Sequence, residues 1–313
     1  MLKSLFNILV FPGLFFLFVF GLAADFIDRK FCARLQNRRG PPWFQPLADF
    51  LKLLGKEDII PEEADTAVFK LMPIVALASC VAAFLLIPLW SLKPRVYFQG
   101  DVIVVLYLLT VPTLTYFLGG WYSRSIYSMI GAVRSLTQLF AYEVPLFMSI
   151  LACALLADTW SLEGMAVFYS RHPGYWMFNL LGFAIAVISL LGKLEKVPFD
   201  IPEAETEIVA GSFTEYSGRL LAFFRLSLNI EMVVGGSLLA AVFMPFGLKL
   251  PQPIGFVLYL AKVILLIGVI SLLRSVFARL RLDQMINFCW KYLAPLAFLQ
   301  VLINLILKGV LAR

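Results

Sequence analysis

Eight stretches of mostly apolar residues recur along the chain, near residues 4–24, 67–91, 102–120, 139–157, 175–192, 221–246, 254–273 and 292–311. Crossing the hydrocarbon core of a bilayer takes a helix of about 20 such residues. None of the stretches alternates with period two, which argues against barrel strands. The expected fold class is therefore an all-α integral membrane protein of eight transmembrane helices. It forms a single membrane domain over residues 1–313, with no soluble domain. Composition agrees, because only 15% of residues are charged and 61% are hydrophobic, whereas a soluble domain carries roughly 25% charged residues. The first apolar run lacks a strongly basic lead and a small-residue cleavage site, so it reads as a span and not a signal peptide.

Lysine and arginine set the expected orientation. The loops 25–66, 121–138, 193–220 and 274–291 hold 16 basic residues, against 7 in the termini and the other loops when Lys308, near the end of the last stretch, is counted with the C-terminus. The first group is expected on the cytoplasmic side of a prokaryotic cell membrane, with both termini outside. Within 25–66, Trp43, Leu47, Phe50, Leu51 and Leu54 fall on one helical face. That pattern predicts an interfacial amphipathic helix after the first span, or a loop helix folded back on the protein. The net charge of +6 is scattered among the loops, which points to anionic lipid and not to nucleic acid. Cys32, Cys80, Cys153 and Cys289 are far apart, and His172 is the single histidine. No metal site is expected from so few and so dispersed ligands.

The sharpest anomaly is the loop after the fifth span. Between Lys193 and Arg219 it carries Glu195, Asp200, Glu203, Glu205, Glu207 and Glu215 against three bases. Crowded carboxylates hold their protons more tightly when buried, and such groups can relay protons near neutral pH. Pro198 and Pro202 stiffen the segment, and Phe199, Ile201, Ile208, Val209 and Phe213 would bury it. Charges also fall inside spans. Lys70 and Arg225 are read as snorkelling to the interface. Glu143, Glu231 and Lys262 are read as ion-coupling groups, because a charge at depth needs a partner or water. Gly-rich phosphate loops, nucleophile elbows and HExxH are absent from the sequence, so no catalytic residue is expected.

Several motifs occur in a fixed order: Asp28-Arg29-Lys30, Ala33-Arg34-Leu35-Gln36-Asn37-Arg38-Arg39-Gly40-Pro41, Gln45-Pro46 and Ala48-Asp49-Phe50-Leu51-Lys52. Gly131-Ala132 with Arg134, Gln138 and Tyr142-Glu143-Val144 follows. Then come Pro198-Phe199-Asp200, Glu203-Ala204-Glu205, Glu215-Tyr216-Ser217-Gly218 and Arg279-Leu280-Arg281-Leu282-Asp283-Gln284. Over nearly the whole chain this resembles subunit 1, the H subunit, of respiratory complex I and its counterparts in group 4 membrane-bound NiFe hydrogenases and related ferredoxin-linked sulfur-reducing complexes.

Three departures favour the second branch. Only Pro42, Trp43 and Phe44 stand between Pro41 and Gln45; leucine occupies Leu282 where complex I usually has tyrosine; and Arg225-Leu226-Ser227-Leu228 replaces a glutamate-tyrosine pair. The resemblance implies a non-catalytic membrane subunit that couples ferredoxin-driven hydrogen evolution in a peripheral arm to proton or sodium movement. Its ion-coupling residues would be Glu143, Asp200, Glu203, Glu205, Glu207, Glu215, Glu231 and Lys262. Arg29, Arg34, Arg38, Arg39, Asp49, Lys52, Arg134, Arg279 and Arg281 would dock the arm. The chain itself would carry no cofactor. Its partners would be peripheral iron–sulfur subunits, a NiFe-hydrogenase-like subunit, and antiporter-like and small membrane subunits. Alternatives are a quinone-binding member of a true complex I, a sulfane-sulfur-reducing complex and a stand-alone ion transporter.

Overall fold

The computed structural model describes residues 2–311, and among them eight helical segments are long and apolar enough to cross a membrane. In chain order the helices are α1 (Leu2–Leu9), α2 (Leu14–Leu35), α3 (Gln45–Leu54), α4 (Thr66–Leu86), α5 (Asp101–Tyr122) and α6 (Ile126–Ala157). They continue with α7 (Leu162–Arg171), α8 (Leu180–Lys193), α9 (Glu205–Ile208), α10 (Gly218–Phe243), α11 (Gln252–Val276), α12 (Leu282–Phe288) and α13 (Ala294–Leu311). No strand occurs among the described residues.

Helix α10 is buried along most of its length and is the hub of the bundle, packed against α2, α3, α4, α8 and α11. Gly235 meets Leu190 there, and Ile230, Val233, Val234 and Ala222 are buried. The outer helices keep one apolar face open, as lipid-facing helices do: Phe15 and Val19 on α2, Val257 and Leu265 on α11, Phe298 and Ile306 on α13.

Helix ends depart from the hydropathy limits, because hydropathy marks the apolar slab and not where backbone hydrogen bonding stops. The first crossing is broken between α1 and α2 at Pro12-Gly13. The expected loop 121–138 shrinks to 123–125, since α6 begins at Ile126 and stays buried along Ser128, Ser135 and Gln138. Gly131 permits this: a Cβ there would strike the backbone of Gly211 and Ser212, so the early turns of α6 lie directly on the acidic loop. The expected loop 274–291 likewise shrinks to a connection between α11 and α12. Lys193, read above as a loop base, closes α8 and is buried.

Helix α3 combines both readings of its pattern. Phe50 stacks edge-on against Phe18 at 5.2 Å and Pro46 is buried, whereas Trp43, Leu47 and Leu51 are exposed. The segment Tyr216-Ser217-Gly218 clamps the start of α4 and the loop between α3 and α4. Tyr216 stacks on Phe69 at 3.9 Å, Ser217 Oγ accepts from the Ile59 amide at 2.8 Å, and Arg219 grips Asp58 at 2.7 Å. Gly218 sits at φ +56°, where a side chain would run into Glu57 and Asp58.

Candidate functional site

The acidic loop does not stand in solvent. Phe199, Ile201, Ile208 and Phe213 are buried as their character requires, while Val209, expected to join them, is 59% exposed. The loop roofs a cavity of about 360 Å³ whose other walls are α2, α3, the start of α10 and the end of α11. Polar walls come from Asp25, Asp28, Arg29, Asp49, Glu195, Lys196, Asp200, Glu203, Arg225 and Arg274.

The loop's carboxylates divide by partner. Glu203 accepts from Arg225 at 2.6 Å, so Arg225 bonds to the loop where snorkelling was expected. Glu207 accepts from Arg134 at 2.7 Å and lies 3.6 Å from Arg279. The Arg134 hydrogen bond holds the Glu207 carboxyl below its ordinary range. Asp200 lines the cavity and Glu215 is half-buried. The Glu205 side chain lies outside the described residues.

Glu195 is the exception. It is buried, and neither carboxylate oxygen has a hydrogen-bond partner of ordinary geometry among the described residues. Burial, reinforced by the negative charge of Glu203 and opposed by the approach of Ser135, pushes its pKa up to about 8. The folded protein therefore keeps a proton on Glu195 between pH 4.5 and about 8, where the unfolded chain has released it. Folding stability from this group is lost as pH rises through that window. Glu195→Gln is expected to stabilise the protein at pH 9 by up to a few kcal/mol while changing little at pH 5. Thermal melting of the detergent-solubilised protein at both pH values checks this; an equal gap in wild type and variant rules it out.

Beneath the loop, an ion pair lies in the interior. Lys193 Nζ is 2.8 Å from Glu231 Oε1, with the side chains 2% and 0% exposed. Lys193 also donates to the Leu109 carbonyl on α5. Pro112, three residues on, lacks the N–H that would serve the Leu108 carbonyl and so loosens that turn. Tyr116 donates to Glu231 Oε2 at 3.2 Å and lies 3.1 Å from Ser227 Oγ, which donates to the Phe224 carbonyl at 2.8 Å. Two hydroxyl protons thus serve three contacts, so a proton arriving on Glu231 can repolarise the set. Glu143 is half-buried on α6. Its neighbour Tyr142 makes a 3.0 Å hydrogen bond with Thr113.

Asp28 forms a second centre. It is 1% exposed and accepts from Lys196 at 2.6 Å, Arg274 at 2.9 Å and Ser271 at 2.6 Å. One carboxylate thereby ties α2, the acidic loop and α11 together. Close by, Arg29 bridges Asp25 at 2.9 Å and Asp49 at 3.0 Å, fixing α3 to α2.

Of the residues singled out by sequence, the structure gathers Asp200, Glu203, Arg29 and Asp49 around the cavity and puts Glu231 below it. Arg34, Arg38, Arg39 and Lys52 are exposed on the acidic-loop face. Arg134, Arg279, Arg281 and Glu207 share a separate surface pocket. Lys262 stands apart: its ammonium donates to the carbonyls of Met244 and Phe246, where α10 ends on the opposite face. Lys193, Asp28, Lys196 and Arg274 were given no role from the sequence, and Glu195 was named only as one acid of the loop.

A family model described as NADH dehydrogenase matches residues 7–305. The second H subunit of NADH-quinone oxidoreductase from Syntrophobacter fumaroxidans is 34% identical over 295 residues, covering 89% of this chain and 88% of that protein. The H subunit of NADH-quinone oxidoreductase from Syntrophotalea carbinolica is 34% identical, covering 97% and 96%. Among solved structures, a chain of the membrane-bound sulfane sulfur reductase, an archaeal respiratory membrane complex, superposes with a TM-score of 0.85 at 26% identity, covering 97% of this chain and 98% of that one.

Proposed function

This chain belongs to the NADH dehydrogenase family, and from that membership we propose that it is the membrane subunit coupling a peripheral redox arm to proton or sodium movement. The observation that carries the proposal is the cavity leading to Glu195, with the Lys193–Glu231 pair buried below. Glu195 holds its last proton near neutral pH, as a group that must both take and release one should. The hydroxyls of Ser135 and Ser189 and the side-chain carbonyl of Gln138 are buried without a partner of ordinary geometry among the described residues. Such atoms are ordinarily served by ordered water, the medium of a proton relay. Redox change in the docked arm shifts charge at Asp200 and Glu203. Glu195 responds by exchanging its proton, and Glu231 and Glu143 receive the change through Lys193.

In this reading the acidic loop faces the cytoplasm, and the exposed Arg34, Arg38, Arg39 and Lys52 meet the arm. The short link from Pro41 to Gln45 favours a ferredoxin-driven arm that evolves hydrogen, with iron–sulfur clusters and a NiFe centre in partner subunits. The likeness to the sulfane sulfur reductase complex favours an arm that reduces sulfane sulfur. The relatives named for NADH-quinone oxidoreductase favour quinone in the same cavity. The charged lining of the cavity suits water and ions better than a quinone ring, which needs mostly apolar walls.

The test uses the intact complex in proteoliposomes, following electron transfer and ion uptake together. Asp200→Asn and Glu143→Gln are each expected to cut ion uptake by about tenfold or more, the scale of losing a positioned proton carrier. Electron transfer is expected to persist, now uncoupled. Uptake at the wild-type level in both variants sinks the proposal.

A further inference from the structure

Two cavities outside the proposed coupling site lie side by side on the acidic-loop face and share Leu280. The first, of about 400 Å³, is cationic: Arg134, Arg279 and Arg281 surround the single carboxylate of Glu207, which is half-exposed. The second, of about 270 Å³, has only apolar side chains in its wall, including Ile188, Leu191, Pro198, Phe199, Leu273 and Phe277. The Leu280 amide donates to the Pro198 carbonyl at 3.0 Å, so the partition between the two is pinned to the acidic loop itself.

Their placement follows from the chain. Arg279 and Arg281 stand between the span ending at Val276 and the one starting at Leu282. They therefore sit where hydrocarbon gives way to headgroups. Val276 and Phe277 are 68% and 54% exposed beside the apolar cavity, presenting it to the bilayer. A guanidinium cluster binds a phosphodiester through paired, charge-assisted hydrogen bonds. An apolar groove opening sideways from that cluster takes a hydrocarbon chain. Positive headgroup pocket, apolar groove and interfacial depth together describe one ligand.

We propose that these adjoining cavities bind an anionic phospholipid from the leaflet on the acidic-loop side, with its phosphate at Arg134, Arg279 and Arg281 and one acyl chain along Phe199 and Phe277. The bound lipid wedges between the acidic loop and the end of α11 and so braces the loop from its membrane side. Arg134, Arg279 and Arg281 are then lipid ligands, and arm docking rests on the other basic residues of that face.

Native mass spectrometry of the intact complex, exchanged through nanodiscs of phosphatidylglycerol or of phosphatidylcholine with the same chains, tests the proposal. Wild type is expected to retain one phosphatidylglycerol on this subunit and at least tenfold less phosphatidylcholine. The double variant Arg279→Gln/Arg281→Gln is expected to lose that lipid at least tenfold. Ala278→Trp fills the apolar groove from an exposed position and leaves the arginines in place, and it is expected to cause a similar loss in a complex of unchanged subunit composition. Equal retention of the two lipids overturns the proposal, as does wild-type occupancy in either variant. So does cross-linking of Arg279 to an acidic segment of a partner subunit in a lipid-free wild type.

Discussion

Lys193→Met is expected to be among the most damaging single changes this protein can carry. It strips the cation from Glu231, whose side chain is fully buried and whose other partner is the Tyr116 hydroxyl. Removing one member of a buried pair costs about 3–5 kcal/mol, because the remaining charge keeps its desolvation penalty and loses its compensation. The double variant Lys193→Met/Glu231→Met is expected to recover most of that loss, since an apolar pair of similar volume restores packing without charge. Ion uptake should not recover with it. Thermal melting of the two variants beside proteoliposome uptake separates the outcomes. If the single variant melts with wild type, the pair does not hold the bundle together. If the double variant transports, the pair does not couple.

Asp28→Ala is expected to produce the second largest effect, by a different route. The carboxylate is 1% exposed and serves Lys196, Arg274 and Ser271 at once. Its loss leaves two cations facing each other at the cavity wall. Arg274 keeps about a third of its side-chain surface in solvent, so the expected cost is about 3 kcal/mol, the low end for a broken buried pair. The acidic loop should suffer first, because Lys196 is its tether to α2. Limited proteolysis of the intact complex is expected to cut near Lys196 faster in the variant than in wild type. Asp28→Asn keeps an acceptor for Ser271 and should fall between the two. Equal cleavage in all three proteins would remove Asp28 from its place as the tether.

The crossings were legible in the sequence because a bilayer imposes a single length and a single polarity on each of them. The acidic loop was legible as an anomaly, and its prolines and aromatic residues showed that it folds inward. What the sequence hid was pairing. Lys193 follows Gly192 at the end of an apolar run, so it looked like the first base of a loop. Only the packing of α8 on α10 reveals that it turns inward to Glu231. Asp28 sits beside Arg29 and Lys30 and so looked like one charge of a surface cluster, while the fold uses it to join elements 168 and 246 residues apart. Lys262 shows the same gap from the other side. Its position in the middle of a span suggested a coupling role, but its reach is to carbonyls freed where α10 stops before Pro245. Spacing along one chain says how deep a charge lies, but not which neighbouring helix answers it.

The buried Lys193–Glu231 pair also bears on how the protein is made. Its members belong to consecutive crossings, α8 and α10, joined by the acidic loop. Glu231 entering lipid alone would carry a naked charge at a cost of a few kcal/mol on insertion scales. Held against Lys193, it enters already neutralised. The fifth and sixth crossings are therefore expected to enter the bilayer as one hairpin, with the pair closing between them as they do.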